Sequence, residues 1–284
     1  IIYAFGSAFV AGITAILAKL GIKDTDSSVV TAIRTIIILI FSWIMVFLVG
    51  SQNTLRDISG ETFIYLVLSG IATGVSWLCY FKALQLGNVN KVTPIDKSST
   101  ILTMILAFII LGESITVNRT IAMIAIGIGT YLMIIKNEME TKKVEGNKWL
   151  IYAICSAGFA SLTSILGKIG IQGVESNLGT AIRTIVVLMM AWLVVFISKK
   201  QDQIKKIDRK SMIVICFSGL TTGLSWLLYY KALQDGEASI VVPIDKLSIL
   251  VTIAFSYLFL GEKLTKKAML GLCFITSGTF LLLL

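Results

Sequence analysis

Histidine is absent from this 284-residue sequence, and proline occurs only twice. Without histidine the chain lacks the side chain best suited to proton transfer and metal ligation near neutral pH. The four cysteines, Cys79, Cys155, Cys216 and Cys273, all fall inside apolar segments, with neither metal-ligand spacing nor the pattern of a secreted disulfide framework. An intramembrane enzyme needs a nucleophile or metal paired with a base. No histidine, cysteine cluster or acid-rich motif supplies one, so no catalytic residue, metal or cofactor is expected. Charge is scarce as well, at 14% of residues.

What fills the chain instead is apolar: 56% of residues, with a mean hydropathy of +0.89. Such a composition lies far outside that of a soluble domain. A bilayer core needs about 20 mostly apolar residues per helix, and ten stretches qualify as spans. They are Ile2–Leu20, Val29–Val49, Phe63–Leu84, Val92–Leu111, Ile121–Ile135, Leu150–Ile169, Leu178–Ile197, Met212–Leu233, Val241–Leu260 and Ala268–Leu284. The net charge of +9 comes from lysines clustered between these stretches. That is a topology signal of a cell (inner or plasma) membrane protein, with the bilayer as partner and no nucleic acid. No cleavable signal peptide is expected, because the first apolar stretch runs past the length of an h-region into Lys19 and a second span.

The chain repeats itself at a spacing of 149 without a gap: Tyr3 with Tyr152, Arg34 with Arg183, Trp77 with Trp226, Asp96 with Asp245. Roughly 50 of about 135 paired positions are identical, which marks a duplicated unit. The expected fold is therefore an all-α membrane protein of ten transmembrane helices in two five-helix repeats, 1–135 and 149–284, joined by a charged linker, 136–148. Five is odd, so the second copy must enter the membrane from the opposite side and the repeats are inverted. Loop charge agrees. Lysine and arginine gather in the linker, between helices 7 and 8 (Lys199 to Lys210) and between helices 9 and 10 (Lys263 to Lys267), which share one face. The loop of the first copy matching the 7–8 loop carries only Arg56. The positive-inside rule then puts those loops in the cytoplasm and both termini outside.

Both prolines open the sequence Pro-Ile-Asp-Lys: Pro94-Ile95-Asp96-Lys97 and Pro243-Ile244-Asp245-Lys246. One reading is an interfacial start of the fourth and ninth helices, with proline in the first turn and the acid opposing the dipole. The other is a broken or late-starting helix that offers charge and free amides to a solute. A repeated Asp-Lys pair beside apolar sequence favours the second, since charge in a membrane is costly without a role. The third helix of each copy carries Trp77, Tyr80 and Lys82, matched by Trp226, Tyr229 and Lys231. These form either an interfacial aromatic belt or a substrate wall. Arg34 and Arg183 lie inside the second helices and either snorkel or pair with Asp96, Asp245 or an anionic solute. Glu113 and Glu262 read as helix-end determinants. In each copy four bases outnumber two acids among the repeated ionisable residues, and a cavity they line favours an anionic solute.

With ten spans in two halves, a proline early in each fourth helix, and Leu-Gly-Glu before a Gly-bearing fifth (Gly112-Glu113 with Gly127 and Gly129; Gly261-Glu262 with Gly271 and Gly278), the chain resembles the EamA-type proteins of the drug/metabolite transporter superfamily. Each half resembles the single five-helix members that must pair to work. The resemblance implies a secondary transporter, often an exporter of amino acids or related metabolites, with a central cavity lined mainly by helices 1, 3, 4, 6, 8 and 9. It also implies cytoplasmic termini, where loop charge points to the opposite. The expected activity is transport of a small polar, carboxylate-bearing or anionic metabolite by alternating access, the protein acting as a monomer or homodimer. The substrate-binding set is Trp77, Tyr80, Lys82, Asp96 and Lys97 with Trp226, Tyr229, Lys231, Asp245 and Lys246; Arg34 and Arg183 orient the acids or bind the solute. A flippase for a lipid-linked or phosphorylated head group and a non-transporting membrane scaffold are the alternatives.

Overall fold

A computed structural model describes residues 1–21, 26–86, 92, 95–134, 148–260 and 265–284. Among these the regular structure is helical throughout: α1 (Ile2–Gly21), α2 (Ser27–Val49), α3 (Gly60–Leu86), α4 (Ser99–Ile110), α5 (Val117–Ile134), α6 (Lys148–Gln172), α7 (Ser176–Ile197), α8 (Arg209–Asp235), α9 (Ala238–Lys246), α10 (Ser248–Leu260) and α11 (Lys266–Leu281). Two short 3-10 turns, Ser51–Asp57 and Gln201–Lys206, follow α2 and α7. Among the described residues six segments are long and apolar enough to cross a bilayer: α2, Gly60–Tyr80 of α3, α6, α7, α8 and Ala238–Phe255. Ile2–Leu17 and Val117–Met133 are shorter apolar helices. At 1.5 Å per residue the 23 residues of α2 reach about 34 Å, enough for a hydrocarbon core about 30 Å thick.

Several helices begin a few residues before their apolar runs, because polar caps carry them outward. The side chain of Asp26 accepts from the Ser28 amide, that of Glu175 from Leu178, that of Asp208 from Lys210 and Ser211, and that of Thr265 from Ala268. At the far end of α2, Gly50 takes the left-handed conformation (φ 77°) and returns its amide to the carbonyls of Val46 and Phe47.

The ninth apolar stretch is not one helix opened by proline. Helix α9 begins at Ala238, so Pro243 lies in its interior, and regular geometry breaks at Leu247 before α10 starts. Proline has no amide to give the carbonyl one turn back. One turn beyond it the ladder tightens, with the Leu247 amide on the Ile244 carbonyl at 2.9 Å. The same tightening occurs at the repeat position, where Ser98 donates to Ile95 at 3.2 Å. Asp245 thus lies at the C-terminal end of a half-helix rather than in a first turn, and it is not stabilised by that helix's dipole. Pro94 falls outside the described residues.

Most interhelical packing joins the first half of the sequence to the second. α3 packs on α6 and α7, α1 on α8 and α10, α2 on α7 and α8, and α5 on α11. Apolar surface alone gives helices little reason to associate in lipid, so small residues and hydroxyls set the crossings. At the α5–α11 crossing a Cβ added to Gly129 would lie 2.5 Å from the Gly271 carbonyl oxygen, and one on Gly271 would lie 2.6 Å from that of Gly129. Leu66, Ile165, Ile171, Leu178, Leu233 and Ile244 fill the larger buried cluster. Phe9, Ile40, Phe47, Phe63, Ile109, Ile121, Phe217 and Leu258 point outward, as a lipid-facing surface requires.

Candidate functional site

Between α1, α3, α6, α8 and α9 the apolar interior gives way to hydroxyls. Ser7 on α1 sends its Oγ to Asp245 Oδ1 at 2.7 Å and lies 3.1 Å from Ser225 Oγ on α8. The arrangement recurs 149 residues on: Ser156 on α6 donates to Asp96 Oδ1 at 2.9 Å and lies 3.4 Å from Ser76 Oγ on α3. Each carboxylate is thereby held by a serine from the other half of the sequence. A buried carboxylate needs such donors, because removing it from water without them costs several kcal/mol.

The two arginines follow the same rule. Arg183 Nη2 donates to Thr73 Oγ1 at 2.6 Å, and Arg34 Nη2 to Thr222 Oγ1 at 2.5 Å, again pairs related by the 149-residue spacing. Arg183 also gives Nε to Ser69 Oγ at 3.0 Å. Its guanidinium lies over the rings of Trp226 and Tyr230, 5.3 Å and 4.7 Å from their centroids, where the ring faces stabilise a cation.

Three adjoining cavities run past these groups. The first, about 240 Å³, is lined by Thr31, Arg34, Thr35, Trp77, Thr222 and Trp226. Both tryptophans also border the second, about 330 Å³, with Arg183, Tyr229, Asp245 and Lys246. Lys246 reaches on into the third, about 410 Å³, where Lys97 joins it beside Thr100, Thr130 and Thr252. Both lysines are exposed, and both line this cavity. A charged group needs water or a counter-ion there, and a cavity supplies room for either.

Of the expected site residues, Trp77, Trp226, Tyr229, Asp245, Lys97, Lys246, Arg34 and Arg183 therefore line these cavities, and Tyr229 bonds Ser164 across 3.0 Å. Asp96 stands at the Ser156 contact. Tyr80 packs against Ala83, Val92 and Ala153. Lys231 lies at the end of α8, paired with Asp235 at 2.9 Å and bonded to Gln234, and Lys82 is exposed at the end of α3. The paired serines were not among the expected residues, although Ser7 and Ser156 share a repeat position that would have flagged them.

Two further clusters join loops. Glu113 accepts from the amides of Ala238 and Ser239 at 2.6 Å and 2.9 Å, capping α9 with a carboxylate from another segment. Arg119 pairs with Glu237, and Lys168 donates to the carbonyls of Leu233 and Gly236 beside them. Glu113, read from the sequence as a helix-end or loop determinant of its own fourth helix, instead caps the start of α9; Glu262 lies outside the described residues. At the start of α2, Asp26 pairs with Lys200 and its amide donates to Gln203. Burial lifts the Asp26 carboxyl, but the Lys200 ammonium and the Ser28 donors outweigh it and hold it below its ordinary value of 3.8.

The sequence profile of the EamA-like transporter family matches residues 1–135 and again residues 147–284. An uncharacterized transporter of the cobO 3' region in Sinorhizobium sp is 40% identical over 134 residues, which make up 47% of this chain and 95% of that relative. An uncharacterized transporter of Archaeoglobus fulgidus is 23% identical over 270 residues, covering 93% of this chain and 90% of its own. One crystal structure superposes with a TM-score of 0.78 over 98% of this chain and 94% of its own, at 13% identity, a likeness of fold. The buried polar groups and cavities lie between packed apolar helices, and two matches to one family profile span nearly the whole sequence. This chain belongs to the EamA-like transporter family and is a multi-pass membrane transporter.

Proposed function

We propose that the protein is a secondary transporter of ten transmembrane helices in two inverted five-helix repeats, which carries a small carboxylate-bearing or anionic metabolite by alternating access. The observation that carries this reading is that the repeated Lys97 and Lys246 face one cavity, beside a second cavity holding Arg183 and Asp245. Two ammonium groups lining one cavity repel one another, and an anion between them relieves that repulsion. Trp77 and Trp226 would pack against the apolar part of the solute.

Three observations support the inverted arrangement. The hydrogen bonds of Ser7 and Ser156, and of Arg34 and Arg183, recur at the repeat spacing and join opposite halves. The segment before α2 meets the one after α7, and the segment after α4 meets the one before α9, as alternating crossings require. The Sinorhizobium relative is about the size of one half, which fits a unit that functions by pairing. By the lysine-rich loops, the face carrying Lys200 and Lys205 is the cytoplasmic one.

The test begins with thermal unfolding of purified protein against metabolic carboxylates and their neutral or cationic analogues, since a ligand of the folded state raises its stability. Uptake or efflux of whichever carboxylate stabilises the protein is then measured. The Lys97→Ala, Lys246→Ala double variant should insert normally and lose transport, while Lys205→Ala, on an exposed loop, should retain it. Wild-type transport by the double variant would refute the basic site.

A further inference from the structure

Arg34 and Arg183 occupy equivalent positions and live in unequal surroundings. Arg183 is 2% exposed, with two hydroxyl partners and two ring faces. Arg34 has one hydroxyl partner among the described residues, and its Nε is buried without any. Ser69 and Ser218 both give their hydroxyl hydrogen to a repeat-related carbonyl, Thr163 at 2.7 Å and Thr14 at 3.5 Å, but only Ser69 Oγ also accepts from an arginine Nε. The space around them differs in the same sense. Thr31, one turn before Arg34, lines a cavity, whereas Thr180, its repeat counterpart, is 0% exposed. Nη1 of Arg183 is also without a hydrogen bond, but the charge it shares is covered by the rings.

An unsatisfied guanidinium nitrogen beside a cavity is an expensive arrangement to keep unless an acceptor arrives there. A carboxylate matches it well, because the guanidinium fork meets two oxygens at once. We propose that, in addition to the Lys97–Lys246 cavity, Arg34 offers the anionic group of the solute a second contact in this state, and that Arg183 takes over that duty when the two halves exchange conformations. The proposal rests on the inverted-repeat transport reading above. In an inverted repeat the oppositely facing state is generated by giving each half the conformation of the other. Arg34 would then be locked by Ser218 and Thr222 under Trp77, and Arg183 would be released from Ser69 beside an opened Thr180. Each state would present one free guanidinium and hold one locked, so the hydroxyl bonds lost on one side are regained on the other.

Cysteine labelling tests this without knowledge of the solute. In protein whose four native cysteines are replaced by alanine, Thr31→Cys and Thr180→Cys are each reacted with an anionic sulfonatoethyl and a cationic trimethylammonium-ethyl methanethiosulfonate, with rates referred to those of a free thiol. Thr31→Cys should react about tenfold faster with the anionic reagent, as a nearby, partly screened guanidinium dictates, and Arg34→Gln should abolish the preference. Thr180→Cys should react slowly with both. Adding Ser69→Ala and Thr73→Val, which unlock Arg183, should slow Thr31→Cys and speed Thr180→Cys, the latter with an anionic preference that Arg183→Gln removes. Thr73→Ser, which keeps the hydroxyl, should restore the original pattern. Thr73→Val alone, checked for a single symmetric gel-filtration peak, serves if the fuller variant fails to fold. A preference at Thr31→Cys that survives Arg34→Gln, or a Thr180→Cys that stays slow after unlocking, would overturn the exchange. These readouts are labelling rates, so they fail or succeed separately from the dependence of transport on Lys97 and Lys246.

Discussion

Replacing Ser7 with alanine removes one hydroxyl from the interior, and the structure says how much that hydroxyl is worth. Ser7 is 0% exposed, and its single proton has three acceptors within reach: Asp245 Oδ1 at 2.7 Å, the Ser225 carbonyl at 3.0 Å and Ser225 Oγ at 3.1 Å. The carboxylate is both nearest and ionisable, so the proton belongs there. A hydrogen bond to a charged group contributes about 1.5–3 kcal/mol, against about 0.5–1.5 for a neutral pair. Ser7→Ala should therefore cost about 2 kcal/mol. Ser225→Ala loses only a neutral bond to the Ser7 carbonyl, 3.2 Å long, and should cost about 1 kcal/mol. Reversible unfolding by sodium dodecyl sulfate in mixed micelles measures both. Asp245→Asn supplies the decisive cycle: in that background Ser7→Ala should cost no more than a neutral bond, giving a coupling of about 1 kcal/mol or more. A coupling near zero, or a Ser225→Ala variant less stable than Ser7→Ala, would mean that the Ser7 hydroxyl does not serve the carboxylate.

Glu113→Gln leaves one neutral oxygen where a carboxylate caps two amides of α9; it should lower stability by about 1 kcal/mol, and Glu113→Ala by more. Unfolding midpoints equal to wild type in both would show that α9 does not depend on this cap. Gly129→Val places a side chain where a Cβ already lies 2.5 Å from the Gly271 carbonyl. It should cost on the order of 3 kcal/mol in heat stability, while Gly60→Val, with nothing within 4 Å of its Cβ, changes little by comparison.

The all-helical, membrane-spanning character was readable because a bilayer demands long apolar runs, six of which the structure carries on helices long enough to cross among the described residues, and the sequence repeat because many residues recur at a spacing of 149. Helix ends were read short, since Asp26, Glu175 and Asp208 extend helices past the apolar edge. The α9–α10 break could not be located from Pro243 alone, because the distortion appears a turn beyond the proline. Nor does polarity inside an apolar helix identify a partner. Ser7 and Ser42 are both 0% exposed, yet Ser7 holds a carboxylate while Ser42 Oγ has no hydrogen bond among the described residues. Repetition separates them, because Ser7 recurs as Ser156 whereas Ser42 faces Ala191 in the alignment of the halves. Repetition has its own limit. Lys82 recurs as Lys231, and Lys231 is engaged by Asp235 at a helix end.

The ion pairs between loops do not repeat. Where one half has Arg119 and Glu237 joined, the corresponding positions are Ala268 and Asn88; where Lys200 meets Asp26, the counterpart of Lys200 is Ser51. On the inverted, alternating-access reading proposed above, an assembly of two identical subunits would carry any loop substitution once on each side of the membrane, and its effects on the two opposite-facing states would cancel. Joining the subunits into one polypeptide ends that cancellation. A single mutation can then favour one facing over the other, and about 1.4 kcal/mol shifts their ratio tenfold. The resting orientation of a fused carrier thereby becomes a heritable quantity that selection can adjust one residue at a time.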